Sequence, residues 1–147
     1  MKLSTKGRYA TRAMMDLARH YGEGLVLLRD IAERQNISER YLEHLFLSLK
    51  AAGLVKSVRG ARGGFTLANR PAETKLIEVL RVSEGPMSVV ECTTDPKSCT
   101  RSARCATRDV WLELQEAMSG VLESLTLQDL VTRQNKKDQT TANMYTI

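Results

Sequence analysis

Residues 37–67 read ISERYLEHLFLSLKAAGLVKSVRGARGGFTL, and they join a helical pattern to a hairpin pattern. Apolar side chains recur at spacings of three and four in the first half, which predicts an amphipathic helix over residues 39–51. Ser38 is a good N-cap for this helix, and Gly53 lies just past its end, where a left-handed cap is favoured. The residues of its apolar face are Leu42, Leu45, Phe46 and Leu49.

The second half of this stretch has the pattern of a β-hairpin. β-prone runs over residues 54–58 and 65–67 flank the Gly-rich segment 59–64. Upstream, apolar spacing predicts helices over residues 4–20 and 28–35. Two short helices joined by a tight turn and followed by a hairpin form the order of a winged helix-turn-helix.

The composition is that of an ordinary globular chain with a basic first part. The chain has 147 residues, 42% apolar and 27% charged, and no apolar run approaches the roughly 20 residues of a membrane span. Residues 1–91 carry 15 basic and 10 acidic residues, whereas residues 92–147 carry 7 of each. Because the N-terminus also lacks an apolar signal segment, we expect a cytoplasmic protein whose first part faces a polyanion.

Polar residues on the outer face of the helix over residues 39–51 are suited to reading bases. In a helix-turn-helix, the N-terminal part of the second helix meets base edges in the major groove. Arginine donates to guanine, a carboxylate accepts from cytosine, and a carboxylate also disfavours wrong sequences. The alternative is an ordinary solvated helix face. The candidates are Arg40, Tyr41, Glu43 and His44.

The hairpin tip favours the DNA interpretation. Arg59 and Arg62 flank small residues there, and a Gly-rich tip can approach a sugar–phosphate wall closely. Arginine is favoured in a narrow minor groove. The alternative is a simple turn with solubilising arginines, but the element order and the charge asymmetry favour DNA binding. Further candidate phosphate contacts are Lys6, Arg8, Arg12 and Lys56.

All three cysteines, Cys92, Cys99 and Cys105, lie in a segment without helical or strand periodicity, residues 85–106. Six and then five residues separate them, which is neither zinc-finger nor ferredoxin spacing. Cationic neighbours lower the pKa of a thiol, and thiolates suit iron–sulfur clusters, zinc or redox sensing. The alternative is three unremarkable thiols on a loop. The nearby cations are Arg101, Arg104 and Arg108.

The C-terminal third predicts a long helix over residues 107–124 and a short helix ending near residue 133. Thr126 and Asp129 have the capping-box spacing that marks the break between them. One stripe of the long helix falls on heptad a and d positions, which suits a dimer interface or packing on the first helix. The polar residues 134–147 are expected to be disordered. The stripe consists of Trp111, Leu114, Met118, Val121 and Leu125.

Residues 1–18, residues 37–65 and the three-cysteine segment with its Trp-bearing helix resemble the iron–sulfur regulators typified by IscR and NsrR. These are dimeric winged-helix transcription factors of bacteria, and the first two stretches are more similar to IscR. The resemblance implies that the three cysteines ligate one cluster per subunit, with a two-iron form favoured over a four-iron form. It also implies that Arg40, Tyr41, Glu43 and His44 face the major groove and Arg59 the minor groove.

Two positions depart from this resemblance. IscR-type proteins carry a histidine three residues after the last cysteine, where this chain has Arg108. NsrR-type proteins take a carboxylate from the partner's first helix, where this chain has Arg8. A guanidinium is protonated and is a poor ligand. We therefore expect a less common fourth ligand or an open iron position; the nearest carboxylates are Glu91, Asp95 and Asp109.

The sequence thus predicts a mainly α-helical fold with a small β-hairpin wing. We expect a DNA-binding domain over residues 1–84, a cysteine loop over 85–106, dimerisation and capping helices over 107–133, and a tail over 134–147. The function expected is that of a homodimeric regulator, not an enzyme, which binds palindromic promoter DNA and controls cluster-assembly genes. The alternatives are a nitric oxide- or redox-responsive repressor and a zinc- or thiol-sensing DNA binder without a cluster.

Overall fold

The computed structural model describes residues 2–146 and consists of helices with one two-stranded hairpin. This confirms the mainly α-helical winged helix-turn-helix. None of the helices within these residues is both long and apolar enough to cross a membrane. In chain order the elements are α1 (Thr5–Arg19), α2 (Leu28–Gln35), α3 (Glu39–Ala51), β1 (Val55–Val58), β2 (Gly64–Leu67), α4 (Leu76–Glu84), α5 (Glu91–Thr94), α6 (Ala106–Ser124) and α7 (Leu127–Tyr145).

A three-residue turn joins α2 to α3 and completes the helix-turn-helix. Asn36 ends α2 in the left-handed conformation, with φ of 52°, which its short polar side chain tolerates. Ile37 is buried, and Ser38 Oγ accepts a hydrogen bond from the Tyr41 amide at 3.1 Å. The turn conformation, the buried side chain and the cap together fix the start of α3.

The wing is an antiparallel hairpin attached to the helical domain at its base. Val55 pairs with Leu67 and Val58 with Gly64. At the base, Phe65 donates a backbone hydrogen bond to Val26 at 2.7 Å and accepts one from it at 2.8 Å. At the tip, a Cβ on Gly63 would collide with the Val58 carbonyl oxygen. The close approach of the two backbone segments at the hairpin tip therefore requires glycine at position 63.

One hydrophobic cluster joins the wing, α1, α3 and the start of α7. The rings of Phe46 and Phe65 meet edge to face with centroids 4.9 Å apart, which packs the wing against α3. Leu127, from the first turn of α7, is fully buried in the same cluster. The largest of the other fully buried side chains are Met14, Leu17, Ile31, Leu42 and Leu49.

A buried charge connects α1 to α2. Asp16 is only 2% exposed, and its two carboxylate oxygens accept from Arg34 Nη2 at 2.7 Å and Nε at 3.0 Å. Gln35 Nε2 donates a further hydrogen bond at 2.9 Å. The hydrogen bonds that Arg34 donates to Asp16 raise the pKa of Arg34 above its usual value. The carboxylate is fully partnered, which is the condition for burying a charge.

The predicted break between the last two helices is confirmed. The predicted end of the last helix near residue 133 is wrong, because α7 continues to Tyr145. The predicted disorder of the tail is therefore wrong as far as Tyr145. Thr126 and Asp129 form a capping box, which lowers the pKa of Asp129. No Gly or Pro follows Thr126, so nothing in the sequence stops the helix. Asp138 accepts hydrogen bonds from Arg19 at 2.9 Å and from Gln134 at 2.8 Å, and these stabilise the exposed second half of α7. Ile147 lies outside the described residues.

The segment with the cysteines has more local structure than the sequence predicts. Besides α5, it contains 3₁₀ turns at Pro96–Ser98 and Ser102–Arg104. Asp95 Oδ1 accepts from the Lys97 amide at 3.0 Å and caps the first of these turns. Single turns of this length have no sequence period, so the periodicity of the sequence did not predict them.

We expect Arg34→Ala to lower the free energy of unfolding by about 2 kcal/mol, because Asp16 would remain buried without its charged partner. The Arg34 side chain is 37% exposed, which places the loss below that of a fully buried pair. Urea denaturation measures it. Arg29→Ala, on the exposed face of the same helix, should change stability by less than about 0.5 kcal/mol; equal losses in both variants would contradict the assignment.

We expect Gly63→Ala to destabilise the wing by about 1–3 kcal/mol, because the added Cβ has no space against the Val58 carbonyl. Amide hydrogen exchange should accelerate in β1 and β2 while α1 and α3 keep their protection. Ala61→Ser, at the exposed tip of the same hairpin, is the matched control. Unchanged exchange in the Gly63 variant would show that the hairpin adapts to a side chain there.

Candidate nucleic-acid interface and cysteine site

The outer face of α3 presents three polar side chains to solvent. Arg40, Glu43 and His44 are exposed, and within residues 2–146 their side chains enter no hydrogen bond or salt bridge. Lys6 of α1 lines the same shallow groove as His44. The structure thus brings a predicted phosphate contact next to the predicted base-reading residues.

Tyr41 has a different position from its predicted companions. It is half-buried, and its ring meets the Tyr9 ring edge to face with centroids 5.5 Å apart. The Arg12 guanidinium lies over the Tyr9 ring, 5.6 Å from its centroid, and donates hydrogen bonds to Gln35 at the end of α2. Tyr41 therefore packs α3 against α1. Tyr9 is not among the residues predicted from the sequence, and its position one helical turn from Arg12 is the signal that could have indicated it.

The remaining predicted DNA contacts lie on α1 and the wing. Arg59 and Arg62 are exposed at the hairpin tip, and Lys56 is exposed on β1. Arg8 is also exposed, but its Nη2 donates to Thr5 Oγ1 at 3.1 Å and its Nε to the Ser4 carbonyl at 3.4 Å. Arg8 thereby supports the first turn of α1.

Two hydrogen bonds attach the start of the cysteine segment to α6. Arg108 Nε donates to the Cys92 carbonyl oxygen at 3.0 Å, and Thr93 Oγ1 donates to Gln115 Oε1 at 2.7 Å. Arg108, the residue that takes the place of the histidine of IscR-type regulators, thus braces the backbone at the first cysteine.

The three thiols have unequal surroundings. All three are free; Cys92 and Cys105 are half-buried and Cys99 is exposed. The Thr107 hydroxyl, 3.0 Å from Cys105 Sγ, is the main cause that lowers the pKa of this thiol, with the Arg108 amide contributing. Of the predicted cationic neighbours, Arg101 lowers the pKa of Cys105 by its charge, but by less than the Thr107 hydroxyl does.

The donor set suits an iron–sulfur cluster by chemistry, since three free thiols lie in one short segment. The geometry does not yet gather them: among residues 2–146, no three Cys, His, Asp or Glu side chains lie close enough together to hold a metal ion. Binding a cluster would therefore require the segment between Cys92 and Cys105 to close.

The apolar stripe of α6 is partly free and partly packed inward. Trp111 and Val121 are exposed by 37% and 58%, whereas Leu114 and Met118 are half-buried. Leu125 packs against the domain core. The stripe available to a partner is therefore shorter at its C-terminal end than predicted. Val110, which is 53% exposed, extends it at the other end and was missed.

Comparisons with known proteins agree with this architecture. The family model for Rrf2, described as an iron-dependent transcriptional regulator, matches residues 3–133. The HTH-type transcriptional regulator CymR of Bacillus subtilis (strain 168) is 44% identical over 132 residues, which are 90% of this chain and 91% of CymR.

Two solved structures are similar as well. The structure of CymR, described as the global cysteine regulator of B. subtilis, matches with a TM-score of 0.78 and 43% identity, over 90% of this chain and 98% of that one. T. potens IscR matches with a TM-score of 0.74 and 44% identity, over 90% and 88%. The resemblance to IscR-type regulators is confirmed, and these relatives are regulators, not enzymes. The chain belongs to the Rrf2 family of DNA-binding transcriptional regulators.

Proposed function

We propose that the chain binds palindromic promoter DNA as a cytoplasmic homodimer, and that chemistry at the three-cysteine segment changes its affinity for that DNA. The observation that carries the proposal is the exposed face of α3, where Arg40, Glu43 and His44 have free hydrogen-bonding groups beside Lys6. Free groups of this kind at the N-terminal part of a recognition helix are those that meet base edges.

Each part of the interface has a chemical role in this proposal. Arg40 and His44 donate hydrogen bonds to bases, and Glu43 accepts from cytosine and disfavours other bases. Tyr41 faces the major groove and sets the angle of α3 by packing on Tyr9. Arg59 and Arg62 enter the minor groove. Lys6, Arg8 and Lys56 contact phosphates.

The homodimer forms through α6 in this proposal. Trp111, Leu114, Met118 and Val121 supply an apolar stripe at heptad spacing, and Trp111 and Val121 are exposed in the single chain. Two recognition helices related by a two-fold axis would read half-sites about one helical turn apart. A palindromic site follows from that symmetry.

Cys92, Cys99 and Cys105 would hold an iron–sulfur cluster, with the two-iron form favoured and cluster-assembly genes as the targets. When bound, such a cluster supplies reversible redox and ligand-exchange chemistry at iron. The residues of this chain supply the thiolates, and Arg108 and Gln115 keep the first cysteine segment on α6. The fourth ligand would be a carboxylate such as Glu91, Asp95 or Asp109, or an exogenous molecule, including nitric oxide.

A second candidate is direct sensing by thiols or zinc without a cluster. It is favoured by the separation of the three cysteines within residues 2–146 and by the exposure of Cys99. CymR, described as a cysteine regulator, is similar over nearly the whole chain. Metal and sulfide content distinguishes the two candidates.

We expect Arg59→Ala to weaken binding to a palindromic promoter fragment by about 1–2 kcal/mol, on the order of tenfold, because a minor-groove contact is lost. Glu43→Ala should instead reduce the difference in affinity between the best DNA site and sites with substituted bases. Fluorescence anisotropy at several salt concentrations measures both. Arg133→Ala, which removes the same charge from α7, is the control. Equal weakening by the Arg59 and Arg133 variants would contradict a specific role for the wing.

We expect protein purified without oxygen to contain iron and sulfide and to absorb visible light, and Cys99→Ala to lose all three. Ser98→Ala, the exposed neighbour, should retain them. Both variants should stay folded, because the cysteines lie outside the core. Colourless wild-type protein that takes up no iron on reconstitution would contradict the cluster, and bound zinc or oxidised Cys99 would then support the second candidate.

A further inference from the structure

Glu84 connects the segment that bears the cysteines to the DNA-facing end of α1. It is the last residue of α4, and Gly85, with φ of 78°, turns the chain out of the helix directly after it. Its Oε1 accepts a hydrogen bond from the Ser4 amide at 3.1 Å and another from the Ser4 hydroxyl. A residue next to the start of the loop thus holds the N-cap of α1.

This contact sets the position of the first turn of α1. Ser4 Oγ in turn accepts from the Gly7 amide at 3.0 Å, so one carboxylate and one hydroxyl satisfy free amides at the helix start. Gly7 is buried against the Glu84 side chain, and a Cβ there would collide with its carboxylate. The absence of a side chain at Gly7 allows the close approach. Lys6 and Arg8 project from the same turn.

Three elements meet beside Glu84. A groove of about 320 Å³ is lined by the N-terminal residues Lys2 and Leu3, by Met87 and Ser88 at the start of the loop, and by Met118 of α6. A movement of the loop start relative to α6 therefore acts on the backbone next to Glu84. The carboxylate is negative at the positive end of the α1 dipole, which favours the contact as long as the geometry holds.

We propose that Glu84 is a positioning residue that transmits the state of the cysteine segment to the phosphate-contacting turn of α1. The inference rests on the proposed function, since it requires that the cysteine segment controls DNA affinity. When the loop start moves, Glu84 releases Ser4, the first turn of α1 frays, and Lys6 and Arg8 leave the positions in which they meet DNA. Coupling of this kind needs two sites that bias one shared element, here the N-terminal turn of α1.

A double-mutant cycle tests the coupling. DNA affinity is measured for the wild type, for Glu84→Ala, for the triple alanine variant of Cys92, Cys99 and Cys105, and for their combination. We expect the cysteine substitutions to change affinity by about fivefold or more when Glu84 is present and by less than about twofold when it is absent. Equal changes in both backgrounds overturn the inference alone. No change in the wild-type background overturns the proposed function, and the inference with it.

Hydrogen exchange provides a readout that does not depend on DNA. Glu84→Ala should accelerate exchange at residues 4–8, and Glu84→Gln, which keeps an acceptor oxygen, should restore much of the protection. Glu78→Ala removes the same charge from the other end of α4, where Glu78 accepts from the Lys75 amide at 2.8 Å, and should leave residues 4–8 unchanged. Equal acceleration by Glu78→Ala would overturn the positioning role.

Gly7→Ala is a second variant that keeps every charge. It raises the helix propensity of α1 but displaces the Glu84 carboxylate, so we expect it to uncouple DNA affinity from the cysteines as Glu84→Ala does. In the Glu84→Ala background it should have no further effect. A Gly7→Ala protein with intact coupling would overturn the inference.

Discussion

Asp16 is a charged side chain inside the helical core, and it lies there because Arg34 and Gln35 partner both of its oxygens. This arrangement fixes the end of α2 against the C-terminal part of α1. Since only three residues separate α2 from α3, the same contact fixes where the recognition helix begins. Burial of an unpaired carboxylate is costly, so the angle between these helices has one favourable value. The DNA-facing surface depends on that angle.

The first helix contacts α2, the recognition helix and the last residue of α4. Asp16 holds it to the helix-turn-helix, the Tyr9–Tyr41 contact packs it against the recognition helix, and Glu84 holds its first turn next to the loop. These contacts are distributed around and along a single helix, since Gly7 beside Glu84 lies on the opposite side of α1 from Tyr9 and Asp16. A helix of 15 residues can therefore relate the loop at one end to the DNA-reading helix beside it without any large movement of the core.

The cysteine segment combines one fixed and one free part. Arg108 and Gln115 attach the backbone around Cys92 to α6, whereas Cys99 is exposed between two short turns. Arg108 holds the backbone at Cys92 through the hydrogen bond that it donates to the Cys92 carbonyl oxygen. The segment is thus anchored at its ends and open in its middle.

The sequence by itself determined the helix and hairpin elements, their caps at Ser38 and Thr126, and the candidate contacts Arg40, Glu43, His44 and Arg59. These follow from local periodicity and capping chemistry, which act over a few residues. Only the tertiary structure decided that Tyr41 packs on Tyr9, that Leu125 faces the core, that α7 continues to Tyr145, and that Glu84 meets Ser4. The contacts join residues that are far apart in the chain. The second half of α7 is polar and has no hydrophobic periodicity from which a helix could be predicted. The positions of the contacts depend on how the helices pack, and a local pattern gives the apolar face of a helix but not the partner against which that face packs.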